Sequence, residues 1–248
     1  MRARLMRSGR TKKAIKLCKL LSKPYFRSCL IKGVAAGTEH TSLLIRLECR
    51  TVVDIGANKG QFAVAVRARF PQARIFAFEP LSGPAKRFRL IFSDDELVRL
   101  YDSAIGPRAE MGTIYVSARD DSSSLLPITD LQNEIFPGTS EVGQETVRIG
   151  TLREFVQPDE IKPPALLKID VQGYELEALK GCECLLDRFA YIYVECSFVE
   201  LYSGQASVSQ VIDFLHERGF VLKGIYNITY DRSELAVQAD FFFERSVG

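Results

Sequence analysis

Two hydrophobic periods alternate along the chain. Val52, Val53 and Ile55 form a short apolar run that breaks at Gly56, and residues 61–70 then carry apolar side chains at helical spacing until Pro71 stops them. The alternation recurs as a strand over 73–78 that closes on Glu79 and Pro80, a helix over 85–92 and a strand over 97–101. Residues 165–169 are a further buried run ending at Asp170. A helix over 174–187 follows, with Leu176, Leu179 and Leu186 among its apolar positions, then a strand over 191–195 that closes on Glu195. A helix over 208–218 stops at Gly219, and the segments 220–226 and 237–244 read as a paired antiparallel edge. Strands separated by helices predict an α/β fold with a mainly parallel sheet. One stretch resists this pattern. Residues 113–117 alternate like a strand, but Ser122, Ser123 and Ser124 follow and turn formers dominate up to Gly143. This predicts an irregular excursion over the sheet, a lid or a binding loop, before regular structure returns over 147–156.

Ligands on parallel sheets bind beyond the carboxyl ends of the strands, where Asp54, Glu79, Asp170 and Glu195 fall, with Ser103 and Ala104 closing the third strand at the same edge. The first strand runs into Asp54-Ile55-Gly56-Ala57-Asn58-Lys59-Gly60, which is not the Gly-x-Gly-x-x-Gly of dinucleotide sites. Gly56 and Gly60 allow close approach of backbone to a ligand, and Asn58 tolerates left-handed angles. Asp54 is a poor neighbour for a diphosphate and suits a cationic nucleoside bearing an amino acid. Glu79 is placed to accept both hydroxyls of a ribose. The pair points to S-adenosylmethionine, although glycine turns and strand-end acids are common to α/β proteins.

The net charge of +2 hides an asymmetry: eleven basic residues and no acidic one precede Glu39, leaving 22 of the 33 basic residues against all 31 acidic ones, a net of −9. The chain divides accordingly into a basic, helical extension over 1–46 and a catalytic domain over 47–248. Ala14, Leu17, Cys18 and Leu21 share a helical face in the extension. That face could pack on the body and shield a site, rest on an anionic membrane, bind nucleic acid, or belong to a disordered end. Lysines interrupt any signal-length apolar run, and no run of eighteen apolar residues occurs. The six cysteines show no metal or disulfide spacing and read as reduced thiols of a cytoplasmic protein. His40 and His216 are the only histidines, too few for a histidine-rich metal cluster and a thin basis for a Ser-His-acid triad.

Four ordered segments resemble the signatures of FkbM-type methyltransferases. They are the run 52–62, Phe78-Glu79-Pro80, Asp121-Ser122-Ser123-Ser124-Leu125-Leu126, and Leu167-Lys168-Ile169-Asp170-Val171-Gln172-Gly173-Tyr174-Glu175-Leu176-Glu177. The resemblance covers residues from about 51 to 244. It implies a class I, Rossmann-like fold with seven strands, S-adenosylmethionine as cofactor, and methylation of a hydroxyl on a sugar, a glycoside or a polyketide-type natural product. Cofactor-binding candidates are then Asp54, Gly56, Ala57, Asn58, Gly60, Gln61, Phe62, Glu79, Pro80, Ser103, Ala104 and Asp170; substrate candidates are Ser123, Ser124, Tyr174 and Glu195. The family commonly has Glu where this chain has Gln172, which weakens any mechanism needing a carboxylate there.

Asp170 is the catalytic candidate, with burial expected to raise its pKa towards that of a useful base. A divalent ion held by Asp170 and Glu195 is the less favoured route, and capping of the following helix is the purely structural one. The fourth strand lacks the Pro-Pro-aromatic run of adenine N-methyltransferases and the Pro-Cys of cytosine C5 enzymes, so oxygen is the better acceptor atom. An RNA methyltransferase using the basic extension and a cofactor-binding module without turnover are the alternatives. The expected partner is a small-molecule or glycan acceptor, with the oligomeric state left open.

Overall fold

A computed structural model describes residues 17, 18 and 20–246. Seven strands form one sheet: β1 (Thr51–Ile55), β2 (Arg74–Phe78), β3 (Val98–Tyr101), then, after the three strands of a second sheet, β7 (Ala165–Ile169), β8 (Tyr191–Ser197), β9 (Phe220–Tyr230) and β10 (Ala236–Arg245). The spatial order is β3-β2-β1-β7-β8-β10-β9, with β10 antiparallel to both its neighbours and the others parallel. Every residue of β1 and β7 is buried, which is why their sequences read as continuous apolar runs. One apolar cluster joins β1, β7 and β8 to helices Glu175–Cys182 and Val208–Glu217; the other joins the opposite face to helices Gln61–Arg69 and Ser82–Phe92. Chain order reverses between β1 and β7, which opens a crevice at their carboxyl ends.

The residues of the extension that can be described share the second core. Leu20, Phe26, Val34, Leu43 and Leu44 are buried with Phe62, Val64 and Phe88. The expected helical face lies largely outside the described residues; within them Leu17, Cys18 and Leu21 are exposed, and Leu20, one position away, is the residue that packs. Among the described residues no helix is long and apolar enough to cross a membrane.

The excursion after β3 is more regular than expected. β4 (Ala104–Ile105), β5 (Glu110–Ser117) and β6 (Glu141–Gly150) form a second sheet of order β4-β6-β5. Helix Asp130–Ile135 sits in the stretch read as irregular, its first turn held by Thr129, whose side chain accepts from Gln132 N. β6 begins at Glu141 rather than near 147, because its first six residues are exposed and carry no burial alternation to read. The helix expected over 174–187 ends at Cys182 and continues as the 3₁₀ turn Glu183–Arg188. That expected over 85–92 starts earlier, at Ser82, with Pro84 in its first turn, where a missing N–H does no harm.

Helix Glu175–Cys182 reaches the second sheet through glycine. A Cβ at Gly181 would lie 2.3 Å from the carbonyl oxygen of Gly106. Alanine normally improves a helix interior by about 1 kcal/mol over glycine. Here the clash is with backbone, which no rotamer relieves. Gly181→Ala is expected to lower the unfolding free energy by about 2 kcal/mol or more in denaturant titrations; a more stable variant would contradict this packing.

Candidate active site

The turn after β1 is built from positive backbone angles: φ is +78° at Gly56, +48° at Asn58 and +92° at Gly60. A Cβ on Gly56 would lie 1.8 Å from the carbonyl oxygen of Asp170, so only glycine fits where the turn meets the end of β7. Gly56 N and Ala57 N donate to Phe78 O at 3.0 and 2.9 Å, tying the turn to β2. Glu79, next along, is buried and accepts from Asn58 N at 2.9 Å and from Leu81 N at 2.8 Å. Burial pushes its carboxyl up to about 7, against the pull of those two N–H groups. Asn58 Nδ2 donates to Asp120 O at 2.8 Å and Lys59 pairs with Asp120 at 2.7 Å, so the serine-rich loop is clamped over the turn.

Beneath the turn lies a charge that sequence reading assigned no role. Lys168 is buried in β7, directly across from Asp54 in β1. Its Nζ is 3.4 Å from Asp54 Oδ1 and 3.3 Å from Asp170 Oδ2. Burial alone would push the ammonium down, but Asp170, Asp54, Asp240 and Glu195 together hold it above the ordinary lysine value. Burial pushes the Asp54 carboxyl up while Lys168 opposes it, and among the described residues neither Asp54 oxygen has a hydrogen-bond partner of good geometry. Asp170 departs from expectation. Burial does push it up, but Lys168, the hydrogen bond from Gln172 and His40 outweigh burial and hold it below the usual carboxylate range. It is a stable anion rather than a tuned base.

Gln172 occupies the place between the two carboxylates where a divalent ion was the alternative. Its Nε2 donates to Asp170 Oδ1 at 2.8 Å and to Glu195 Oε2 at 2.9 Å, and its Oε1 accepts from Tyr202 OH at 2.7 Å. Glu195 also accepts from Gln238 Nε2 at 2.9 Å, and burial with Asp170, Asp240 and Glu175 around it drives its carboxyl well up. Ser124 Oγ donates to Gln172 O at 2.6 Å, and Ser123 Oγ accepts from Ser117 N at 3.1 Å, so both serines shape the loop.

These groups surround a cavity of about 550 Å³. Gly56, Ala57, Asn58, Gln61, Phe62, Glu79 and Pro80 line one end, with Ser103 and Ala104 beside them. Asp170, Glu195, Ser123, Ser124 and Tyr174 also line it, whereas Asp54 and Gly60 lie behind its wall. The wall also includes residues that the motifs did not single out: Lys168, Gln132 and, from the extension, His40. Lys168 was detectable as a charge inside a run buried on both faces; His40 and Gln132 had no sequence signal, being delivered by separate segments. The donor set fits a nucleoside that carries an amino acid. Glu79 stands at the end of β2 for hydroxyls, the glycine turn leaves room for close approach, and the buried Gln61 Oε1, without a partner among the described residues, can receive an N–H. Among the described residues no group of three or more His, Cys, Asp or Glu is arranged to hold a metal ion.

Glu175 fixes the chain below the cavity. It is buried, and its Oε1 accepts from Gly173 N at 3.0 Å and Val171 N at 3.2 Å, which shapes the turn through Gln172. Burial pushes its carboxyl up to about 7. Because the folded value lies above the unfolded one, its contribution to stability is complete at low pH and is lost as pH rises through 7. Unfolding free energies at pH 5 and pH 8 are therefore expected to differ less in Glu175→Gln than in the parent, by about 1–3 kcal/mol. An unchanged pH dependence would contradict this placement.

Comparison with known proteins agrees with this geometry. Residues 54–222 match the model of the methyltransferase FkbM domain. The methyltransferase sdnD of Sordaria araneosa is 30% identical over 208 residues, covering 75% of this chain and 76% of its own. The 2-O-methyltransferase NoeI of Sinorhizobium fredii is 27% identical, covering 66% of this chain and 70% of its own. The hexuronic acid methyltransferase AglP of Haloferax volcanii is 31% identical over 57% of this chain and 54% of its own. Among solved structures, one described as a putative O-methyltransferase from Klebsiella pneumoniae superposes with a TM-score of 0.52 over 94% of this chain and 97% of its own; at 13% identity it speaks for the fold alone. The chain belongs to the FkbM methyltransferase family and is an S-adenosylmethionine-dependent methyltransferase.

Proposed function

We propose that the enzyme methylates a hydroxyl group of a sugar, a glycoside or a polyketide-type natural product. The observation that carries this reading is the composition of one cavity, which joins the glycine turn and Glu79 to hydrogen-bonding groups suited to a polyhydroxylated acceptor: Asp170, Glu195, Ser123, Ser124 and Tyr174. The name of one relative, a 2-O-methyltransferase, supports transfer to oxygen, and that of another, a hexuronic acid methyltransferase, supports a sugar acid as acceptor. A polyanion such as RNA is a poor fit for a wall carrying Asp170 and Glu195.

S-adenosylmethionine supplies a methyl group on a positively charged sulfur. Glu79 and the run 56–62 hold its nucleoside and amino-acid parts in this reading, with Ser103 and Ala104 beside them, and Asp54 acts from behind the wall through Lys168. Asp170, anionic and partly open to the cavity, accepts a hydrogen bond from the acceptor hydroxyl and fixes its direction. Holding the reacting atoms in line in this way contributes on the order of 7–11 kcal/mol to such reactions. The serine-rich loop, clamped by Asn58 and Lys59, keeps water from the acceptor.

Two measurements test the reading. Calorimetry is expected to show S-adenosylhomocysteine binding weakened by about 1.5–3 kcal/mol in Glu79→Gln, which keeps an acceptor but loses the charge; undiminished binding would remove Glu79 from the site. The second incubates the parent enzyme with S-adenosylmethionine and a panel of methyl glycosides, uronic acids included, and follows methyl gain by mass spectrometry. A product that survives mild alkali is a methyl ether, as expected. A product that alkali hydrolyses is an ester and would contradict a hydroxyl acceptor.

A further inference from the structure

Methylation of a hydroxyl releases a proton, and the carboxylates of the cavity are badly placed to take it. Asp170 is held low and Lys168 is held protonated, while both oxygens of Glu195 are already taken up by Gln172 Nε2 and Gln238 Nε2. Glu79 accepts from Asn58 N and Leu81 N, Asp120 pairs with Lys59 and Asp121 with Arg119, and a histidine of the extension also faces the cavity. His40 closes the 3₁₀ turn Thr38–His40, outside the residues matched by the family model, and lines the cavity. The turn is anchored by Gly37 N, which donates to Gln61 O at 2.8 Å at the start of helix Gln61–Arg69. The imidazole packs edge-on against Phe62 and Tyr193, with ring centres 5.1 and 5.6 Å away.

A hydrogen-bond chain sets the state of this ring. Tyr193 OH donates to Asp240 Oδ2 at 2.7 Å, and Asn227 Nδ2 donates to the same carboxylate oxygen at 2.6 Å. A tyrosine has one proton, and it is committed to Asp240. The 3.1 Å contact between His40 Nδ1 and the tyrosine oxygen is then made by Nδ1 donating, because Asn227 Nδ2, 3.5 Å from Nδ1, has its two hydrogens directed to Asp240 Oδ2 and, at 3.2 Å, to Tyr193 OH. The neutral imidazole is thus the Nδ1–H tautomer, with the lone pair on Nε2, for which the described residues provide no partner. Asp240, 3.6 Å from Nδ1, is placed to stabilise the imidazolium once a proton arrives. A base oriented by a buried acid through its second nitrogen is the arrangement general-base catalysis requires. His40 is also near enough for its charge to lower both Asp54 and Asp170.

We infer that His40 is the general base of the reaction, with Tyr193 and Asp240 as its positioning residues, so that the extension supplies part of the active site. This rests on the hydroxyl acceptor proposed above. The acceptor oxygen gains the methyl group and loses its proton to Nε2; the positive charge lost from sulfur reappears on the imidazole, where Asp240 faces it.

Because the chain has two histidines and His216 is exposed, the full-length protein labelled with ¹⁵N-histidine gives two ring systems, told apart by His216→Gln. Long-range proton–nitrogen correlation is expected to find His40 as the Nδ1–H tautomer; an Nε2–H tautomer overturns the assignment without any acceptor being needed. His40→Ala is then expected to lose roughly 10²–10⁴-fold in transfer to the glycosides, to bind S-adenosylhomocysteine within about twofold of the parent, and to recover part of the rate with added imidazole. Full activity in that variant, or loss that imidazole leaves untouched, overturns the assignment. A parent enzyme that methylates none of the glycosides fails the acceptor reading instead, and the tautomer still decides the state of His40.

Discussion

The buried ammonium of Lys168 is the interaction on which the site depends. It stands across from Asp54 in the register of β1 and β7 and two residues before Asp170, on the same face of the sheet. A charge removed from water is expensive unless it is paired, and the pairing works in both directions. Asp54 has no hydrogen bond of good geometry among the described residues and depends on Lys168 for compensation. Asp170 is kept anionic at the mouth of the cavity by the same cation. The face of Phe62, 5.6 Å from Nζ, covers it, so the helix that follows the glycine turn is drawn onto the same point. Turn, central strand and cavity-facing carboxylate are held as one unit.

The polar groups around that unit are connected rather than merely adjacent. Gln172, in a left-handed conformation with φ of +56°, links Asp170, Glu195 and Tyr202, and Tyr202 OH reaches Ser122 O at 3.1 Å on the loop. A carboxylate at position 172 would set a third acid beside Asp170 and Glu195, whereas the amide donates to both. The departure from the family's common Glu is therefore matched by its neighbours in this chain.

Much of this was legible in sequence for a definite reason. β1 and β7 are buried on both faces, so burial is written directly in Val52, Val53, Ile55, Leu166, Leu167 and Ile169. The strand ends followed from the edge rule, and Glu79 and Asp170 lie on the cavity where that rule put them. What could not be read had no local signature. The exposed half of β6 lacks alternation, so the second sheet was missed. The direction of the Asp170 shift depends on Lys168, whose partners lie on two strands, and burial alone gives the wrong sign. His40 faces the cavity because a segment from outside the motif region packs beside Phe62, and no spacing rule connects it with Asp240, two hundred residues later.

The claim that one buried cation couples the first strand and its glycine turn to the central strand is tested most directly by a double-mutant cycle in denaturant unfolding. Lys168→Met leaves Asp54 uncompensated and is expected to cost about 3–5 kcal/mol. Adding Asp54→Asn removes the stranded charge, so the double variant should regain a substantial part of that loss, with a coupling energy of about 1 kcal/mol or more. Strictly additive effects of the two substitutions would contradict the account.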